Sequence, residues 1–160
     1  MKNKYKPINN FLTAEDLVEI EAAVGNAEAA TIGEIKVVIV SKSRTGLFRV
    51  FDPVKAVEMR AIREFKKMGV HKTKARTGVL IMVSVAEHRI RIIADEGINS
   101  RVESSTWSDI VEAVSLKIKE GMPKDGIMSA IATVGATLAR HFPHAEGDTN
   151  ELSDDIVVDE

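Results

Sequence analysis

The chain of 160 residues contains no cysteine, one tryptophan and one tyrosine, and only 4% of it is aromatic. Without thiols, disulfides, thiolate nucleophiles and cysteine-ligated zinc are excluded. It also lacks an excess of cations: 22 Lys and Arg stand against 24 Asp and Glu, for a net charge of −2. A general binder of nucleic acid draws its affinity from a large surplus of Lys and Arg, so no nucleic-acid partner is expected. No run approaches the ~20 apolar residues that span a bilayer. The opening MKNKYKPINNF is positive but has no apolar stretch behind it, so no membrane segment and a cytoplasmic location are expected. Internal repeats, low-complexity tracts, a glycine-rich phosphate loop and a nucleophile elbow are missing as well.

What remains is ordinary globular composition, 44% hydrophobic and 29% charged, at a length that suits one core. Residues 1–145 read as a single, monomeric domain and residues 146–160 as an acidic tail. That tail, EGDTNELSDDIVVDE, is either disordered or laid over the body through Ile156, Val157 and Val158.

Thr13 followed by Asp16 announces a first helix, whose apolar positions are Leu17, Ile20 and Val24. Ile35 to Val40 is short and β-branched, a first strand. Ser41 to Phe51 is harder to place: it carries a short edge strand at Leu47 to Phe51 or is mobile. Asp52-Pro53 opens a second helix with Val54, Val57, Ala61, Ile62, Phe65 and Met68 on its apolar face and Gly69 as its stop. Val79 to Val85 is almost wholly apolar, a strand covered on both faces. A short turn at Ala86 to Arg89 returns the chain as Ile90 to Ala94, a third strand with one exposed face or an edge position. Two more helices follow, from about Ser105 to Glu120 and from Asp125 to Phe142, with Pro143 ending the last. These elements predict an α/β fold: a three-layer α/β/α sandwich around a small mixed sheet, one parallel crossover plus one antiparallel hairpin.

That topology brings the start of the first strand, the start of the second and the end of the third to one edge. Glu34, the loop His71 to Thr77, and the adjacent acids Asp95 and Glu96 share that rim. Adjacent acids before Gly97 are ordinary loop chemistry and keep a strand end soluble. The same Glu34, Asp95 and Glu96 also offer the oxygen-rich environment that Ca²⁺ or Mg²⁺ prefers, with Gly97 allowing a sharp turn that exposes carbonyl oxygens. The helix N-terminus at Ser104 and Ser105 can receive an anion such as phosphate. Cation and anion together would suit hydrolysis of a phosphate ester.

Other candidates have plainer accounts. His71, Lys72, Lys74 and Arg76 form a basic loop that either receives phosphate or is simply solvated. His71 and His88 fall at opposite ends of the second strand, against a zinc site. His141 and His144 suit a helix C-terminus. Asp148, Glu151, Asp154 and Asp155 either bind cations loosely or stay solvated as an acidic tail, the usual behaviour of such a tail, and Trp107 suits the core better than a ligand platform.

The series FLTAEDLVEIEAAVGNAE, TIGEIKVVI, GVHKTKARTGVLIMVSVAEHRIRIIADEGI, a Trp-bearing helix and ARHFPHAEGDTNELSDDI resembles the TPM domain family, from about Phe11 to Ile156. Its order and spacing carry the resemblance, which is strongest to the short stand-alone bacterial branch. The resemblance implies an α/β/α sandwich, acid-phosphatase activity on a phosphorylated substrate, and divalent-cation binding by acids near strand ends, here Glu34, Asp95 and Glu96. It assigns no catalytic nucleophile. The competing expectation is a non-catalytic module that uses the same cation-loaded rim to dock a protein partner.

Overall fold

The computed structural model describes residues 4–159. Thr13 opens α1 (Ala14–Glu28) with a reciprocal capping box: its hydroxyl accepts from the Asp16 amide at 3.0 Å, and the Asp16 carboxylate accepts from the Thr13 amide at 2.8 Å. The strands β1 (Glu34–Val40), β2 (Gly78–Ser84), β3 (Arg89–Ala94) and β4 (Val157–Asp159) form one sheet in the order β3-β2-β1-β4. β1 runs parallel to both neighbours, and β3 pairs antiparallel with β2.

Alternation along the strands sends side chains to two layers of helices. Ile35, Val37, Ile39, Val79, Ile81 and Val83 enter the larger core with α1, α4 (Ser104–Lys119) and α5 (Pro123–His141). Val38, Val40, Leu80 and Met82 meet α2 (Pro53–Lys67) on the other face. Every position of β1 and β2 is buried, as a strand covered on both sides requires. The three-layer α/β/α sandwich with a mixed sheet is therefore the fold, and β3 is its exposed edge.

Four details depart from the reading of the sequence. The last residues supply a fourth strand: Ile156 is buried, and the Lys36 ammonium donates to the Ser153 and Asp155 carbonyls at 3.0 and 2.9 Å. A three-residue strand is too short to show periodicity. The segment 41–51 holds no strand; it makes a 3₁₀ turn at Gly46–Val50. Its base is fixed by the Glu87 carboxylate, which accepts from the Ser43 and Arg44 amides at 3.1 Å and from the Ser84 hydroxyl at 2.5 Å.

The buried face of α2 is rotated from the expected one. Val54 and Ile62 lie exposed, whereas Arg60 and Glu64 are buried beside Ala56, Val57 and Ala61. Arg60 bonds Glu64 at 2.9 Å and Asp159 at 2.5 Å, so an ion pair to β4 turns that stripe inward. Finally, Asp95 does not end in an open turn. It caps a one-turn helix, α3 (Glu96–Asn99), by accepting from the Glu96 amide.

Candidate functional site

The rim assembles as the topology requires. Glu34 stands in register with Gly78, and the Asp95 amide donates to the Gly78 carbonyl at 2.9 Å, so three neighbouring strands end together. The side chains along this rim nevertheless fall into two separate groups.

At one end, Asp95 is buried and receives two hydrogen bonds from the Arg76 guanidinium, at 2.7 and 3.0 Å. Arg76 also reaches the exposed Glu96 at 3.4 Å. The two-pronged geometry is the strong form of a carboxylate–guanidinium pair. Arg76 attains it from a left-handed backbone, φ 55°, a conformation that costs energy in a residue with a side chain. The role of Gly97 follows from this loop. A Cβ there would stand 2.4 Å from the Ala75 carbonyl oxygen and 2.5 Å from that of Arg76. Glycine in this place lets the basic loop lie against α3 and deliver Arg76 to the acids. Gly97 is helical, so it exposes no carbonyls in a sharp turn.

At the other end, Glu34 turns toward α1 and the tail. Its Oε1 accepts from the Glu151 amide at 2.6 Å, while the buried Oε2 receives no N–H donor. The Glu28 carboxyl, at the last turn of α1, stands in hydrogen-bonding contact with Glu34 and with Asp154. Its Oε1 also accepts from the Ile35 amide at 2.7 Å. Burial pushes the Glu28 carboxyl up to about 9, helped by Asp154 and Glu34. Burial raises Glu34 as well, against the opposing pull of the Glu151 amide. A pocket of about 220 Å³ opens beside these acids, lined also by Asp148, Asn150 and His144. Gly25 admits the tail: a Cβ there would lie 3.2 Å from Asp154 Oδ2.

The chemistry of this pocket is that of carboxyls crowded around a missing positive charge. At neutral pH a proton on Glu28 supplies it. In the side-chain positions seen, no three His, Cys, Asp or Glu side chains among the described residues stand in metal-holding geometry.

The remaining candidates are dispersed. The Lys74 amide donates to Glu151 at 2.9 Å, and the side chains of Lys72 and Lys74 are solvated. His71 stacks near Phe65, with ring centroids 6.2 Å apart, at the end of β2 away from His88. The His144 amide is tied to the Ala30 carbonyl at 3.1 Å, which places it at the pocket mouth. Trp107 is buried in the larger core. The N-terminus of α4 lies beyond β3, two strands away from Glu34, so the proposed anion and cation positions are not adjacent. Sequence reasoning missed Glu28 as a partner of Glu34. The available signal was its place at the end of a helix six residues before a strand, with acids recurring in the tail.

A family model for the TPM domain matches residues 8–137. The chain belongs to the TPM domain family. This TPM domain is similar to the BA42 protein of the psychrophilic bacterium Bizionia argentinensis, whose NMR structure shares 33% identity over 96% of this chain and 99% of that one, with a TM-score of 0.80. The N-terminal domain of a P. gingivalis protein matches at 15% identity over 85% of this chain and 83% of that one, with a TM-score of 0.65. The N-terminal domain of the cg2496 protein from Corynebacterium glutamicum matches at 14% over 86% and 84%, with a TM-score of 0.58. These last two share the fold alone. No curated protein matches the chain. The tail that closes the Glu28–Glu34 pocket lies beyond the matched residues of the family model. Among the described residues, no helix of this TPM domain is long and apolar enough to cross a membrane.

Proposed function

We propose that this TPM domain binds a divalent cation, Ca²⁺ or Mg²⁺, in the pocket between α1, β1 and the C-terminal segment, with Glu34 and Glu28 as its fixed donors and Asp154 or Asp148 completing the shell. The observation that carries this reading is the contact of two carboxyls at the sheet end: Glu34, whose buried Oε2 receives no N–H donor, and Glu28, pushed up to about 9 and so holding a proton that a cation can replace. Hard cations take oxygen ligands of this kind and displace such protons. Asp95 and Glu96, placed on the same rim, are the competing ligands; their charge is already answered by Arg76.

Thermal unfolding with and without 5 mM CaCl₂ or MgCl₂ tests the assignment. Either ion should raise the midpoint of the wild type and of Asp95→Asn, but not of Glu34→Gln. A response lost in Asp95→Asn and kept in Glu34→Gln moves the site to the other end of the rim.

Hydrolysis of phosphate monoesters is the second reading, favoured by His144 at the mouth of the same pocket. A bound divalent cation would polarise a phosphoryl oxygen there. The chain's own contribution would be the His144 imidazole, whose backbone is anchored to Ala30, holding or giving a proton at the leaving oxygen. Steady-state hydrolysis of p-nitrophenyl phosphate separates enzyme from binding module: loss of turnover in His144→Ala with the calcium response intact supports catalysis, and absence of metal-dependent turnover in the wild type leaves the non-catalytic module.

A further inference from the structure

The opposite margin of the sheet carries a second feature, independent of the acidic pocket. β3 is an edge strand, and α4 runs beside it, leaving a groove of about 530 Å³ between Arg91 to Ala94 and the first turns of α4. The phase of its main chain is fixed by the Asp95 amide, which bonds to Gly78 and so puts residue 95 in the set that faces β2. Antiparallel pairing alternates by residue, so the N–H and C=O groups of Ile90, Ile92 and Ala94 face away from β2, into the groove. The Ala94 carbonyl shows this directly, since it accepts from the Asn99 side chain at 2.8 Å. An open row of this kind is a template for another strand.

Two further observations say what kind of strand. Trp107 lines the groove, is 7% exposed, and its indole N–H has no acceptor among the described residues. A buried indole donor without a partner is costly and ordinarily satisfied. On the α4 side the wall sets the apolar Val102, Trp107 and Val111 among Ser104, Ser108 and, at its outer end, Glu112. On the α2 side, Arg89 and Arg91 are exposed. β4 already occupies the far edge of the sheet, and two arginines on the open edge oppose pairing with an identical strand from a second copy.

We propose that the edge of β3 and the flank of α4 form a docking groove for an extended acidic peptide segment of a protein partner, added as a fifth strand. Its alternate side chains would be apolar toward Val102, Trp107 and Val111, and carboxylates toward Arg89 and Arg91. Main-chain bonds would supply affinity and the two faces selectivity, as in other strand-addition complexes. Paired residue for residue, the six positions of β3 accommodate about six residues of such a segment.

The test uses the whole protein and a capped heptapeptide, Asp-Val-Asp-Leu-Asp-Val-Asp, with a Lys-for-Asp counterpart. Trp107 is the sole tryptophan, so its fluorescence reports the groove alone, and amide NMR shifts locate the contact. The acidic peptide should perturb Trp107 and the amides from Ile90 to Ala94 and bind at least tenfold tighter than the lysine peptide; Arg91→Glu should reverse that preference. N-methylation of alternate peptide amides should weaken binding at least tenfold, while methylation of the intervening ones should be tolerated. Absence of shifts at millimolar peptide, shifts elsewhere, equal tolerance of every methylation, or a dimer joined through β3 would each overturn the proposal.

Discussion

Two carboxylate groups sit at the same end of one sheet and have opposite fates. Asp95 has a permanent cation, the two-pronged Arg76 guanidinium, and one of its oxygens also caps α3. Glu34 has a backbone amide on one oxygen, no N–H donor on the other, and beside it Glu28, whose raised pKa leaves a replaceable proton between the two carboxyls. An arginine does not exchange at ordinary pH, whereas a proton on a carboxyl does. The lesson is that acid density alone does not mark a cation site. What matters is whether the positive charge already present is fixed or replaceable.

The largest effect should come from removing residues 147–160, which takes away one wall of the Glu34 pocket and leaves the Arg76–Asp95 pair in place. Burying Ile156 is worth about 2 kcal/mol. The two hydrogen bonds from Lys36 and the one to Glu34 add about 1 kcal/mol each, so urea unfolding should show a loss of roughly 5 kcal/mol. A loss below 1 kcal/mol would mean that the segment merely rests on the body.

Asp95→Ala attacks the other side. It removes a helix cap and the buried partner of Arg76, and should cost about 2 kcal/mol in the same assay while the calcium response persists.

The third prediction separates the two groups by pH. The folded-state pKa of Glu28 lies above its unfolded value, so the native state holds the extra proton between the two. Its contribution to stability is complete below about 4.5 and is lost as pH rises through about 9. Glu34, raised as well, has the same sign. Unfolding midpoints measured from pH 5 to 9 should therefore fall more steeply for the wild type than for Glu28→Gln, and calcium should flatten the wild-type curve. Identical slopes would remove the proton from the account.

The smallest effect belongs to Glu96→Gln. An exposed carboxylate 3.4 Å from Arg76 contributes less than about 0.5 kcal/mol, within the error of most unfolding measurements.

Much of the fold was legible because its signals are local. The capping Thr13, Asp52-Pro53 and the apolar runs of β1 and β2 each state their structure within a few residues. The meeting of Glu34 with the strand of Asp95 followed from strand order. What escaped was set by distant partners. α2 buries Arg60 and Glu64 because Asp159, 99 residues beyond Arg60, waits at the end of β4, and hydrophobic periodicity cannot register an ion pair. The same blindness hid Arg76 as the partner of Asp95. It also hid Glu28, which reads as one more solvated acid at a helix end until the C-terminal segment folds back over it. Gly97 was noticed for its freedom, yet it matters for its missing side chain.

The most direct test of the central claim follows the side-chain carboxyl carbons by ¹³C NMR during a calcium titration at pH 7.5, with proton release measured in parallel. The account predicts shifts at Glu28 and Glu34, with Asp154 or Asp148 following, and close to one proton released for each ion bound. Shifts confined to Asp95 and Glu96, or binding without proton release, would contradict it.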